Sequence, residues 1–139
     1  MSVKFFLDTN ILVYSCDNAY PEKKEKAKRL ITEAFEKNTG VISFQVVQEF
    51  LNVVTRKFLK VFSAEEAKFH LEEVLRPLCE VFPSIELYRQ ALEIQKDTGL
   101  GFYDSLIIAA ADDAGCKILY SEDFQSGQKI RGLTIQNPF

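Results

Sequence analysis

Histidine and cysteine are scarce in this chain. His70 is the sole histidine, and Cys16, Cys79 and Cys116 are widely separated, with no C-x-x-C or other zinc-ligand spacing. That argues against a zinc centre and a disulfide framework, and the odd count fits a reducing compartment. Long apolar runs are also lacking: none approaches the ~18–20 residues that span a bilayer. Asp8 interrupts the N-terminal apolar stretch too early for a signal peptide. A cytoplasmic protein with no membrane partner is therefore expected. There is no excess of positive charge, with 17 Lys plus Arg against 20 Asp plus Glu and a formal net charge of -3. Global acidity does not exclude a nucleic-acid partner, because basic residues can cluster locally. Repeats, low-complexity stretches and linkers are missing too. The 139 residues, 47% of them hydrophobic, read as one domain over 1–139, large enough for a real core.

Short apolar strands alternate with amphipathic helices along the chain. Strands are expected over 3–7, 41–44, 78–82, 117–121 and 133–136. Between them, helical patterns cover Ile11 to Tyr14, the charged segment from Pro21 to Lys37, and about Gln45 to Lys60. Ser63 and Glu66 form a capping-box pattern that opens a helix to about Val74. Two more helices run from Ile85 to Asp97, closed by Gly99, and from Phe102 to Ala114, closed by Gly115. The order implies an α/β fold with a mainly parallel central sheet of about five strands flanked by helices.

Four carboxylates interrupt this apolar framework. Asp8 ends the first strand, and Asp123 follows Ile118-Leu119-Tyr120-Ser121. Glu49 shares a helix face with Val46 and Val53, and Asp104 with Ile107, Ile108 and Ala111. Both faces are expected to turn to the core, where an acid is costly unless a cation compensates it. Each acid has a plainer reading. Asp8 can cap a helix, Glu49 can sit at a helix edge, Asp104 can answer a helix dipole, and Asp123 can belong to an ordinary loop. Ligands of open parallel sheets bind beyond the carboxyl ends of the strands, which places Asp8 and Asp123 on one rim. Asp104 has no basic residue within seven positions, and the nearest to Asp8 is Lys4, at the other end of the strand. Four ionised carboxylates brought together repel unless a cation is bound, and an oxygen-only set favours Mg²⁺ or Mn²⁺.

These residues carry a resemblance. Phe6 to Tyr14, Ile42 to Phe50, Phe102 to Ala111 and Leu119 to Phe124 are similar, in this order and across the whole chain, to the motifs of PIN-domain ribonucleases. The likeness is strongest to the small VapC toxins of type II toxin–antitoxin pairs. It implies that Asp8, Glu49, Asp104 and Asp123 are the catalytic, metal-binding acids, with Thr9, Asn10 and Ser121 as supporting hydrogen-bonding residues. Glu122 adjoins Asp123; the family spacing favours Asp123, while the strand-end argument does not separate the two. The resemblance further implies hydrolysis of RNA phosphodiesters with Mg²⁺ or Mn²⁺, leaving 5′-phosphate and 3′-hydroxyl ends. A homodimer and a cognate antitoxin partner that also binds DNA are implied as well.

Two basic stretches could meet the RNA: Lys23, Lys24, Lys26, Lys28 and Arg29, and the group Arg56, Lys57 and Lys60. Arg56 and Lys57 are the better candidates because they lie on the Glu49 helix, although a solvated face explains either cluster. Phe35, Phe44, Phe50, Phe58, Phe62 and Phe69 are read as core or interface rather than base-stacking platforms. Two rival functions remain open here. One is a PIN-like module that binds RNA or protein without catalysis. The other is an aspartyl phosphotransferase or receiver domain. The usual second Asp of such phosphotransferases is Asn10 here, and Lys117 is the one lysine placed near a strand end to serve them.

Overall fold

The computed structural model describes residues 3–57 and 62–139, the side chain of Lys57 excepted. The chain runs β1 (Phe5–Leu7), α1 (Thr9–Tyr14), α2 (Pro21–Lys37), β2 (Gly40–Ser43) and α3 (Phe44–Lys57). Next comes α4 (Ala64–His70), prolonged by a π-type turn, Leu71–Leu75, and a last turn, Arg76–Leu78. β3 (Cys79–Val81), α5 (Ile85–Thr98), α6 (Phe102–Asp113), β4 (Ile118–Tyr120), β5 (Lys129–Ile130) and β6 (Leu133–Gln136) complete it.

The strands form one sheet in the order β3-β2-β1-β4-β6-β5. Every pairing is parallel except β5 with β6. Phe5, Phe6 and Leu7 of β1 are all buried, as expected of a central strand covered on both faces. β2 lies on one side of β1 and β4 on the other, so the chain changes direction across the sheet there. A crevice opens at the carboxyl ends of strands at such a point. The core beneath it contains Phe6, Leu7, Ile42, Leu119 and Ile135 from the sheet, with Ile11, Phe50, Ile94 and Ile108 from the helices.

α2 is locked against this sheet by Gly40. A Cβ there would overlap the Cβ of Ala34 and press on the Phe5 ring, so only glycine lets the helix return so close to β1 and β2. The sheet has six strands, one more than the sequence suggests. The additional strand is the two-residue β5, which pairs with β6 through a two-residue turn, Arg131-Gly132, with both residues at positive φ. Two residues are too few to show strand periodicity. Phe44 begins α3 rather than ending β2, and the α4 unit continues past Val74 to Leu78. Lys60 and Phe58, parts of the basic and aromatic groups above, lie outside the described residues.

Candidate active site

β1 delivers Asp8 to the rim, and α1 starts immediately after it. Asp8 is therefore both a helix cap and a wall of the crevice. Its Oδ1 accepts the Thr9 backbone N–H at 2.7 Å, and its own N–H stays in the sheet, donating to the Tyr120 carbonyl at 3.0 Å. Its other oxygen, Oδ2, accepts the Ser121 hydroxyl at 2.6 Å. Ser121, fully buried at the end of β4, accepts the Asp123 N–H on the same oxygen at 3.1 Å. One hydroxyl thus sets the position of two acids.

A second bracket ties α1, α3 and α6 together. The Thr9 hydroxyl donates to Glu49 Oε1 at 2.6 Å, and the Gln45 amide donates to Glu49 Oε2 at 3.3 Å and to the Tyr103 carbonyl at 3.2 Å. Asp8, Glu49, Asp104 and Asp123 line one open cleft of about 470 Å³, with Thr9 and Asn10 beside them. All four acids meet there, and so do two of the three supporting residues, while Ser121 acts from beneath.

The acids differ in burial. Asp8 is only 5% exposed, whereas Glu49 is half-buried and Asp104 and Asp123 are exposed. The expectation of a buried Asp104 is thus corrected: burial along α6 begins at Ser105, and Asp104 stands on the first turn at the cleft's edge. Burial pushes the Asp8 carboxyl up to about 6; the Ser121 and Thr9 hydrogen bonds oppose the rise, and the charges of Asp123 and Glu49 add to it. Asp123 is also raised, by partial burial first and then by Asp104 and Glu122. The Asn10 amide beside it opposes that rise in part, without completing a hydrogen bond of good geometry.

Glu122 takes another direction. Its carboxylate receives the Lys23 ammonium at 2.6 Å and the Tyr14 hydroxyl at 2.7 Å, and it is not part of the cleft lining. Burial pushes this acid up, but these two partners outweigh it and hold it below the usual glutamate range. Asp123 is the one of the two that faces the cleft.

None of the four cleft acids makes an ion pair among the described residues. Neither histidine nor cysteine lines the cleft, so the donor set is oxygen-only and suits a hard divalent cation. Both polar atoms of the Asn10 amide are buried without a partner, which also fits a polar occupant. As the side chains stand, no three acids, histidines or cysteines among the described residues close into a ready ligand set.

Sequence reasoning missed Gln45 and Asp17. Gln45 lies one turn before Glu49 on the same helix face, a spacing that could have revealed it. Asp17 lines the cleft from the α1–α2 loop, buried and accepting the Ala19 N–H at 3.0 Å. Nothing in a polar loop sequence signals that burial. Arg56 is exposed on α3, two turns beyond Glu49, and outside the cleft lining; the Lys57 side chain lies outside the described residues.

Several solved structures are similar over nearly the whole chain. One is a toxin–antitoxin complex from Klebsiella pneumoniae, with a TM-score of 0.71 at 15% identity, covering 98% of each chain. Another is DNA-bound VapBC from Salmonella typhimurium, with a TM-score of 0.70 at 18% identity, covering 99% of this chain and 100% of that one. A third is the sarcin–ricin-loop-cleaving toxin VapC20 of Mycobacterium tuberculosis, at 0.63 and 20% identity, covering 86% and 90%. Likeness at these identities concerns the fold. No curated protein is a significant sequence match. PIN domains are a nuclease family that generally uses divalent metals. The PIN-domain profile matches residues 5–127, a span that includes all four cleft acids, and the chain belongs to the PIN-domain family.

Proposed function

We propose that this protein is a metal-dependent endoribonuclease and the toxin of a VapBC-type toxin–antitoxin pair, acting as one domain. The observation that carries the reading is the meeting of four acids, from β1, α3, α6 and the β4–β5 loop, in one cleft with no cationic partner among the described residues. Asp8, Glu49, Asp104 and Asp123 would hold the ion. When bound, Mg²⁺ or Mn²⁺ supplies an activated water for in-line attack on phosphorus and stabilises the departing 3′ oxygen. The chain's own part is orientation. Ser121 and the Thr9 N–H fix Asp8, and the Thr9 hydroxyl and Gln45 fix Glu49, so little rearrangement is left for the moment of binding. Asn10 offers an amide to the scissile phosphate or to Asp123. The products have 5′-phosphate and 3′-hydroxyl ends.

Positive charge for the RNA backbone comes from Arg56 and Lys57 on α3. The solved relatives named as toxin–antitoxin and VapBC complexes support an antitoxin partner for this chain as well. Phe82, Ile85, Tyr88 and Leu92, exposed on α5 and just before it, are apolar surface suited to a second copy. No described helix is long and apolar enough to cross a membrane; the reading places the protein in the cytoplasm, where its RNA is.

One observation favours a second reading, a PIN domain that binds without cutting: the acids do not yet close into a ligand set. Cleavage of total cellular RNA with Mn²⁺ separates the two. The nuclease cuts, EDTA stops it, and Asp104→Asn lowers it by about a thousandfold. A folded wild type that binds RNA and leaves it intact would establish the binding module instead.

A further inference from the structure

Three consecutive residues after β4 alternate in direction. Ser121 turns inward to Asp8, Glu122 outward to α1 and α2, and Asp123 back to the cleft. The outward contact is dense. Lys23 Nζ meets Glu122 Oε2 at 2.6 Å and donates to the Tyr14 hydroxyl at 3.3 Å, while that hydroxyl donates to Glu122 Oε1 at 2.7 Å. The same ammonium stands 4.6 Å from the Tyr14 ring centroid, 5.6 Å from that of Tyr20 and 5.4 Å from that of Phe139. Tyr14 packs edge-on against both of those rings. A carboxylate, a hydroxyl and three aromatic rings leave this lysine little freedom.

Resting on the nuclease reading above, we propose that Lys23 is a positioning residue for the metal: through Glu122 it aims Asp123 into the cleft, and Glu122 in turn keeps the Lys23 ammonium out of the acid cluster. Both halves follow from charge. Without Lys23, Glu122 is an uncompensated anion next to Asp123, on a loop whose remaining described anchors include the Ser121 hydroxyl and backbone bonds at Ser121 and Gly127. Without Glu122, the ammonium is left on a flexible four-carbon stem against Tyr14 and Tyr20, two residues that line the cleft, and is free to turn towards the acids and compete with the divalent ion for them. A partly exposed pair of this kind adds little to stability, so its effect is on geometry.

The test is Mn²⁺ binding to the metal-free full-length protein without RNA, read from the electron paramagnetic resonance signal of the free ion. Lys23→Gln is expected to bind Mn²⁺ about tenfold more weakly than wild type, as is usual when a partner behind a metal ligand is removed. Glu122→Gln weakens binding too, although it removes a negative charge near the site. Lys23→Arg, which keeps the pair, stays within about twofold of wild type. Thermal melts in EDTA accompany each titration, and the isosteric Glu122→Gln carries the test should Lys23→Gln melt early. Unchanged Mn²⁺ affinity in both neutral variants overturns the proposal, and so does a loss in Lys23→Arg as large as in Lys23→Gln. Wild-type Mn²⁺ binding that depends on residues 23 and 122, with no RNA cut, overturns the nuclease reading alone. A wild type that binds no Mn²⁺ overturns both.

Discussion

Asp8 and Asp104 face the same cleft from opposite surroundings. Asp8 is buried, each of its oxygens already accepts a hydrogen bond, and its backbone is part of the central sheet. Asp104 is exposed on the first turn of α6, where the helix dipole favours a negative charge. The first acid is fixed in direction before any cation arrives, at a cost in stability. The second costs the fold almost nothing and takes its place from the helix that carries it. On the proposed reading, such a set would combine one rigid ligand with others that can adjust to the ion.

The comparison can be broken first by amidation. Asp104→Asn and Asp8→Asn should each lower RNA cleavage by about a thousandfold, the scale of losing one electrostatic element of a phosphoryl-transfer site. Asp8→Asn should also remove the pH dependence of stability that its buried carboxyl brings; an unfolding profile in that variant unchanged from wild type would erase the distinction. Next in size is Ser121→Ala, which leaves Asp8 Oδ2 and the Asp123 N–H without their shared partner. Metal affinity should fall by about 10- to 100-fold, measurable as the Mn²⁺ concentration giving half-maximal cleavage.

The third effect is a stability slope in metal-free protein. Asp8 titrates near 6 in the folded chain against an ordinary 3.8. Between those values the folded state holds a proton that the unfolded chain has released. Stability from this group is therefore full below about pH 4 and lost as pH rises through about 6, by about 3 kcal/mol at most. Urea unfolding in EDTA should show that decline in wild type and a flatter profile in Asp8→Asn. The smallest change belongs to Arg56→Ala. It should weaken RNA binding uniformly across sequences and reduce the slope of log affinity against log salt by about one.

The pattern was legible because the longer helices show their period and β1, β2 and β4 stand out as short apolar runs between them. β5 was not, since a two-residue strand exists through its partner β6. The four acids stood out against apolar neighbours, and all four reach the cleft. Their burial was less readable. A helical wheel tells which way Asp104 points around α6 but not how far along the axis the covering sheet extends. The choice between Glu122 and Asp123 rested on the family spacing, which favours Asp123, because the strand-end argument does not separate them: both follow β4, and the residue that draws Glu122 aside, Lys23, is 99 positions away in sequence. Only tertiary structure joins them.

The strand order has a consequence for the life of the chain before it is complete. β1 and α3 supply Asp8 and Glu49 early, but β4 must add to the far edge of β1 before Ser121 can reach Asp8 and Asp123 can enter the cleft. A chain still being synthesised, with residues beyond 120 not yet emerged, owns three of its four acids and lacks the hydroxyl that aligns the first. On the nuclease reading, a chain made on a machine of RNA cannot assemble its cutting site until the residues through Asp123 have left that machine.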